Sequence, residues 1–371
     1  MEKFYMNLAL ELAKKGKGRV NPNPMVGAVI VKENKIIAQG YHEEYGNNHA
    51  EINAINNAKE NLDGSTMYVT LEPCSHYGKT PPCVEKIIEN KIAKVVIASL
   101  DPNPLVSGKG VKKLVDAGVE VVTGILDYEN KKLNEVFMKY IVKKVPFVIM
   151  KSAMSLDGKI STRTGESKWI SCDESRMSVH KLRNEVMGIL VGVNTIIQDD
   201  PELTCRLKDG KSPIKIIVDS NLRIPENSKV IKDAHNHRTI IITTSSAKES
   251  MVKELESKGV EIIMAKLKDN RADLSDMMEK LGQLNIDSIL LEGGATFNFS
   301  AIEEGIVDKI QVYIAPKLIG GKLSKTPIGG NGIDKLKDAY KIRDMNVQMV
   351  GEDILIEGYL NESEDKKCLQ V

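Results

Sequence analysis

His49, Glu51, Cys74 and Cys83 are the side chains of this sequence whose types and order suit metal-assisted chemistry. The two cysteines lie in LEPCSHYGKTPPC (71–83), each directly after a proline and with eight residues between them. The usual zinc hairpin separates its pair by only roughly two to four residues. A catalytic zinc ion takes three protein ligands and leaves the fourth position to water. Thiolates from Cys74 and Cys83 and an imidazole from His49 would make such a set, with Cys83 near a helix start whose partial positive charge favours the ionised thiol. In HAE the glutamate follows the histidine by two positions, which is not the i, i+4 spacing of a helical ligand pair, so Glu51 reads as a proton carrier beside the metal. Two thiolates and a neutral imidazole cancel the ion's charge, and the ion still lowers the pKa of its water toward ~7. The plain alternatives are a disulfide, or two small buried hydrophobes beside a solvated helix start.

Composition narrows these choices. Five cysteines, an odd number at unrelated spacings in 371 residues, do not make a disulfide framework. The longest apolar run, VMGILVGV (186–193), is far short of the roughly 20 residues needed to span a bilayer, and no secretory leader pattern opens the chain. A cytoplasmic protein with no membrane partner is expected, and in a reducing compartment the cysteine pair leans toward metal or catalysis. With 52 basic against 51 acidic side chains and 4% aromatics, nothing recommends a nucleic-acid partner. The length exceeds the roughly 250–300 residues at which one core stops growing, so two domains are expected.

The elements that must position the four residues follow from periodicity. MEKFYMNLALELAKKG reads as a helix, and MVGAVIV and KIIAQGYH, joined by KEN, as a β-hairpin. A helix from near His49, a strand (TMYVTLE), a helix opening near Pro82, a strand (KVVIASL), a helix (GKGVKKLVDAG), a strand (VEVVTGI) and one helix over 129–140 complete an α/β layered domain, 1–145. KKVP (143–146) is the junction. The second domain, 146–360, begins with FVIMKSAMS and continues with strands around GILVG, IKIIVDS, RTIIITT, VEIIMA, DSILLEGG and KIQVYIAP, helical patterns lying between most of them. Ser171 with Glu174 suits a capping box for the helix through Arg183. The polar tail, 361–371, is expected to fray, with Cys368 incidental.

No GxGxxG follows a strand in the second domain, so the standard dinucleotide fingerprint is absent. Its nearest counterpart is SILLEGGATFNF (288–299): a strand, two glycines, then a helix start. Glycines there let a backbone approach a phosphate, and free N–H groups at the helix start would bind it. Many strand-to-helix turns contain glycine without binding anything.

The zinc nucleobase deaminases carry H-x-E followed by P-C-x-x-C. This chain has HAE and the P-C, but its second cysteine comes six residues late. HAEINAI with TLEPCSHYGKTPPC, together with NPNPMVGAVIV and SLDPNPLVSGKG, resembles the deaminase half of the bifunctional riboflavin-biosynthesis deaminase/reductase family, in which the long loop is the usual form. KSAMSLDGKISTRTGESKWIS, LVGVNTIIQDDPELTCR, LLEGGATFN and YIAPKLIGG resemble its reductase half, so the similarity runs from about residue 1 to 360.

The resemblance implies a cytidine-deaminase-like three-layer α/β domain followed by a dihydrofolate-reductase-like α/β domain, one zinc ion, NADPH, and a small pyrimidine ribosyl phosphate as substrate. It also implies a homo-oligomer. The implied first reaction replaces the 2-amino group of a diaminopyrimidinone by oxygen. Glu51 takes a proton from the activated water, passes it to a ring nitrogen and then protonates the departing amine. Asn23, His42 and Lys79 match positions near the pyrimidine and phosphate. The implied second reaction is hydride transfer to C1′ of the ribosyl group, which opens the sugar to a ribityl chain. Ala153, Trp169, Thr195, Asp199, Ser220 and the run Glu292, Gly293, Gly294, Ala295, Thr296, Phe297 and Asn298 fall at NADPH-contacting positions. Ser167, Arg183, Leu203, Arg206 and Glu292 fall at substrate-contacting ones, the two arginines suiting a phosphate. Lys151 is a candidate polar contact or proton source, and a solvated strand-end lysine is the competing reading. Trp169 could equally be core.

Two other functions compete at this stage. A polynucleotide deaminase with an appended domain would show a basic groove and aromatic platforms for an extruded base. A purely structural zinc site in a nucleotide-binding module would leave Glu51 without a task.

Overall fold

The computed structural model of the chain describes residues 1–77, 81–103 and 106–360. They fall into two compact units, one Met1–Lys144 and the other beginning at Val145. The tail expected to fray, 361–371, lies outside the described residues.

In the first unit α1 (Glu2–Lys14) precedes the hairpin β1 (Gly27–Lys32) and β2 (Lys35–Tyr41). Then come α2 (Ala50–Asn56), β3 (Thr66–Leu71), α3 (Cys83–Glu89), β4 (Lys94–Ser99), α4 (Lys109–Asp116) and β5 (Glu120–Thr123). The sheet order is β2-β1-β3-β4-β5, antiparallel through β3 and parallel beyond it. Alternation along β1 explains the layering: Val29 and Val31 pack with Met6, Ala9 and Leu12 of α1, whereas Ala28 and Ile30 join Ala50, Ala54, Val84, Ile87 and Leu114 on the other face. Glu33 and Asn34 both take positive φ (48° and 62°), the type I′ geometry that closes a two-residue hairpin. A Cβ on Gly40 would lie 2.4 Å from the Ala54 nitrogen, so only glycine lets α2 sit this close to β2.

One expected helix is two. α5 (Asp127–Leu133) and α6 (Glu135–Lys143) break at Asn134. The buried Asn134 amide accepts the Met25 N–H at 2.8 Å and donates to the Met25 carbonyl at 3.0 Å. It also donates to Asn130 at 3.1 Å. Asparagine side chains that bond backbone in this way compete with helix continuation.

The second unit contains β6 (Phe147–Ser155), α7 (Asp173–Glu185), β7 (Gly188–Gly192), α8 (Val193–Asp199), β8 (Ile214–Val218), α9 (Lys229–Lys232), β9 (Thr239–Thr243), α10 (Glu249–Ser257) and β10 (Val260–Met264). It continues through β11 (Leu267–Lys268), β12 (Arg271–Ala272), α11 (Leu274–Gln283), β13 (Ser288–Leu291), α12 (Ala295–Glu303), β14 (Lys309–Ala315), β15 (Arg343–Val350) and β16 (Asp353–Tyr359). The main sheet runs β10-β9-β8-β7-β13-β6-β14-β16-β15. It is parallel from β10 to β14 and antiparallel over its last two pairs. On one face Met277, Leu281, Ala301 and Ile302 cover Val148, Leu190, Ile216 and Ile289; on the other Ile196, Ile231 and Leu255 cover Ile189, Val191, Ile217 and Ile241. Coverage of both faces is what a parallel sheet requires.

Two expectations change here. No capping box forms, and α7 starts after Cys172 rather than Ser171. Asp353 of β16 takes the Cys172 N–H at 2.9 Å, and the Cys172 thiol bonds the Val350 carbonyl at 3.3 Å, so a tertiary contact decides where the chain turns into the helix. The β15–β16 hairpin was not anticipated from the sequence. Its turn is Gly351–Glu352, with Gly351 at φ +60°, as a glycine-first hairpin turn demands.

Candidate active sites

The first site is built at the ends of three elements. His49 is the residue before α2, Cys83 opens α3, and Cys74 sits in the loop leaving β3. His49 Nδ1 is 3.5 Å from Cys74 Sγ and 3.3 Å from Cys83 Sγ, and the three donor atoms all lie within 4.8 Å of one another. The edge between nitrogen and sulfur in a zinc tetrahedron, from bonds of about 2.0 and 2.3 Å, is roughly 3.5 Å. The triangle therefore has the dimensions of a zinc ligand set, and it is the one such group among the described residues. Without metal, the hydrogen bond from Cys83 draws the Cys74 thiol down to about 4, while its bond to Cys74 lifts His49 to about 9. Cys83, which gives that hydrogen bond and is buried, stays well above the usual thiol range. A metal taking these atoms displaces the protons on His49 and Cys83.

Glu51, the second residue of α2, is 3% exposed, and burial pushes its carboxyl up. Its carboxyl interacts electrostatically with the His49 imidazole and the Cys83 thiol, which places a poised carboxyl at the rim of the donor triangle. His42 stacks edge-on to His49 with ring centroids 5.7 Å apart. Burial lowers the His42 pKa, so its Nδ1–H donates to the Asn48 carbonyl (3.0 Å) and Nε2 accepts the Asn23 amide (3.2 Å). Asn23 and His42 are thus brought to the cluster as one hydrogen-bonded unit. Lys79 lies outside the described residues.

Glu72, beside this site, was missed by sequence reasoning. Its buried carboxylate accepts four backbone N–H groups, from Asp101, Gly108, Gly110 and Val111. That ties the loop carrying Cys74 to the start of α4. An acidic residue at a strand end, just before P-C, was the only signal available. A cleft of about 340 Å³ adjoins Cys74, lined by Ser75, His76, Lys109, Lys112 and Lys113.

In the second unit the parallel strands end on a common rim, where ligands of open α/β sheets bind. At the end of β13, a Cβ on Gly293 would meet Asn298 Oδ1 at 2.7 Å and the Phe297 ring at 2.8 Å. One on Gly294 would meet only Thr195 Oγ1, at 3.8 Å, so the turn's outer side is open to a ligand. Asn298 gives its amide to the Pro327 carbonyl, but its buried Oδ1 has no hydrogen-bond partner among the described residues. Open glycine backbone, a helix start and an unused buried acceptor suit a dinucleotide phosphate and amide.

Arg183 of α7 grips Glu292 through Nε (2.8 Å) and Nη2 (3.1 Å) and gives Nη1 to the Thr204 carbonyl (2.9 Å). Three of its five donors are thereby used within the protein. Lys151 Nζ stands 3.7 Å from the same carboxylate. Burial alone would raise the Glu292 pKa; Lys151 and Arg183 outweigh it and hold the carboxyl at about 2. Arg206 is exposed, with Glu202 at 3.2 Å, and is the freer of the two arginines. His180, one turn before Arg183, accepts the Arg206 N–H at 3.3 Å, and burial with the two arginines lowers its pKa. It too went unnoticed in the sequence, where its i, i+3 spacing to Arg183 was the available sign.

The remaining candidates are more dispersed. Trp169 is 60% exposed beneath the Arg176 guanidinium at 4.6 Å, on a cleft of about 540 Å³ shared with Cys172 and Lys317, so it is not a core residue. Ser167 is exposed, and Leu203 is buried with φ +55°. Ala153 packs toward Tyr313 and Val179. Asp199 closes α8, and Asp200 accepts the Lys229 N–H at 2.8 Å. The Ser220 hydroxyl is engaged by the Ala272 N–H at 3.0 Å.

Comparison with known proteins gives these two sites a family. Residues 1–99 match the cytidine and deoxycytidylate deaminase zinc-binding region, and residues 146–356 match the RibD C-terminal domain. The chain is 49% identical over 353 residues to the riboflavin biosynthesis protein RibD of Actinobacillus pleuropneumoniae, covering 95% of this chain and 94% of that one. It is 39% identical to the crystal structure of a diaminohydroxyphosphoribosylaminopyrimidine deaminase/5-amino-6-(5-phosphoribosylamino)uracil reductase from Thermotoga maritima, with TM-score 0.84 over 97% of this chain and 99% of that one. Acinetobacter baumannii RibD is 33% identical, with TM-score 0.87 over the same shares. Among the described residues no helix is long and apolar enough to cross a membrane. A zinc-type donor triangle in the first unit, an open glycine turn in the second, and relatives aligned over nearly the whole length place this chain in the RibD family of bifunctional riboflavin-biosynthesis deaminase/reductases.

Proposed function

We propose that residues 1–145 deaminate 2,5-diamino-6-ribosylamino-4(3H)-pyrimidinone 5′-phosphate and that residues 146–360 reduce the product with NADPH, giving 5-amino-6-ribitylamino-uracil 5′-phosphate. The observation that carries the reading is the His49–Cys74–Cys83 triangle with buried Glu51 at its rim. Zinc held there supplies a Lewis acid that makes water nucleophilic near neutral pH. Glu51, with its proton affinity raised by burial, would take one proton from the attacking water and deliver it to a ring nitrogen, then take that water's second proton and pass it to the leaving amine, serving as base and then acid. Asn23, positioned by neutral His42, offers its amide to the pyrimidine. Lys79 is assigned to the substrate phosphate on family resemblance alone.

In the reductase half NADPH, when bound, supplies the hydride. The run Gly293 to Asn298 with Thr195 would hold its phosphates and amide, and Asp199, Ser220, Ala153 and Trp169 complete the proposed contacts. Arg206, Ser167 and Leu203 face the substrate in this reading. Arg183 and Glu292 act as a charge-balanced pair that presents Lys151 as the polar contact near the sugar. Preference for NADPH over NADH rests on the family.

The protein works on a small molecule, and the near-balanced charge and the relatives leave no support for a nucleic-acid base as substrate. A homo-oligomer in the cytoplasm completes the proposal. The test is direct: purified chain with zinc and NADPH should release ammonia from the diaminopyrimidinone phosphate and then oxidise NADPH. Ammonia release without NADPH oxidation would remove the second half of the proposal, and neither signal would remove both.

A further inference from the structure

His180 sits inside the second site, yet the proposed chemistry leaves it unused. The loop beside it, Leu203 to Arg206, is pinned along its length. Leu203 belongs to the core that holds Ile189 and Ile217, and each of the next three residues bonds α7. Arg183 Nη1 donates to the Thr204 carbonyl at 2.9 Å, the Cys205 thiol donates to the His180 carbonyl at 3.4 Å, and the Arg206 N–H donates to His180 Nδ1 at 3.3 Å. His180 and Arg183 share one face of α7 at i, i+3. A backbone N–H can only donate, so Nδ1 offers its lone pair and the neutral ring carries its proton on Nε2. Burial, with Arg183 and Arg206, lowers the ring's pKa and keeps it neutral. Among the described residues none accepts a hydrogen bond from Nε2.

We propose that His180 donates its Nε2–H to the 5′-phosphate of the substrate in the reduction, beside Arg206 and the two unused donors of Arg183. The contact deepens the reading of the second unit as the reductase and rests on it. Charge points to an anion. Lys151, Arg183 and Arg206 bring three cations to this corner; buried Glu292 is already held by Lys151 and Arg183, and exposed Glu202 takes one Arg206 nitrogen. A further cation would add repulsion, whereas a neutral imidazole adds a donor without it. The terminal oxygens of a phosphate suit donors arriving together from α7 and the 203–206 loop. The cofactor's own phosphates have the open turn at Gly293 and Gly294. By accepting the Arg206 N–H, the ring is fixed in both tautomer and orientation, so the donor is set before the substrate arrives.

Two substitutions separate a phosphate donor from an anchor of the loop. His180→Asn puts an amide oxygen where Nδ1 stands, so the Arg206 N–H keeps its acceptor while the Nε2 donor is lost. His180→Gln puts an amide nitrogen where Nε2 stands and gives up the anchor. With the full chain loaded with zinc and saturated with NADPH, His180→Asn should raise KM for the deaminated phosphate about tenfold or more, the scale of a hydrogen bond to a charged group. The changes in kcat and in KM for NADPH should be far smaller. His180→Gln should recover part of the lost affinity, and dephosphorylated substrate should not distinguish His180→Asn from the native chain. A native KM in His180→Asn, or an equal loss on dephosphorylated substrate, would overturn the contact and leave His180 as an anchor; a rise confined to KM for NADPH would overturn it in favour of the cofactor. A second readout needs no folded Asn variant: inorganic phosphate should shift the ring resonances of native His180, identified by their loss in His180→Gln, and unshifted resonances would also overturn the contact. A native chain that oxidises no NADPH on the deaminated phosphate would remove the reductase reading and this contact together.

Discussion

Glu72 Oε1 accepts the Gly110 N–H at 2.8 Å across thirty-eight residues of sequence, and this contact holds the Cys74 loop against α4. A Cβ at position 110 would stand 2.2 Å from the Pro73 carbonyl oxygen and 3.1 Å from Glu72 itself. Gly110→Ala should therefore displace Pro73 and Cys74, costing about 1–3 kcal/mol of stability in the first unit. Zinc titration and thermal melts would show it as weakened metal retention. Full zinc stoichiometry at unchanged stability would mean that the loop does not depend on this contact.

Cys83→Ala and Glu51→Gln should fail in different ways. Cys83→Ala removes one donor of the triangle, so zinc and deamination are lost together while NADPH oxidation on the deaminated product continues. Glu51→Gln keeps the donors and should lower the deamination rate by about 10²–10⁴ with zinc still bound. Metal analysis alongside the two half-reactions separates them; a Glu51→Gln enzyme of full activity would take the proton-carrier role from that residue.

Glu292 sets a pH limit for the second unit. Its folded pKa, about 2, lies below the ordinary carboxylate value because Lys151 and Arg183 outweigh its burial. A depressed carboxyl contributes stability that is present above the unfolded pKa and lost as pH falls through the folded one. The contribution should be complete at neutral pH and fade between pH ~4.5 and ~2. Acid denaturation of Glu292→Gln should lack that part of the transition, and an identical profile would show that the ion set is not coupled to folding.

Lys215 tests the same physics in the sheet. The side chain is fully buried on β8, and its ammonium meets Asp233 at 2.5 Å. Asp233→Asn leaves a buried cation without its counter-charge and should destabilise by about 3 kcal/mol. Adding Lys215→Met should recover most of the loss, since a buried pair is often replaceable by apolar residues. Urea unfolding of the single and double variants measures both; equal stability of all three would mean that the lysine is solvated.

The chemistry was legible in the sequence because it resides in residue types and order. H-A-E, the two P-C pairs, and alternating apolar runs bounded by glycine and proline suffice for two α/β units, a three-donor metal set with a carboxylate beside it, and the family resemblance. What folding alone decided depends on contacts between distant segments. The break at Asn134 comes from Met25, the start of α7 from Asp353, and the clamp on Cys74 from Glu72 reaching α4. No local pattern encodes these, because each partner lies tens of residues or more away and carries no periodic signal of its own. Arg183 shows the same limit: the family resemblance implied a substrate contact, and only the fold reveals that three of its donors are spent on Glu292 and Thr204, leaving two for a ligand.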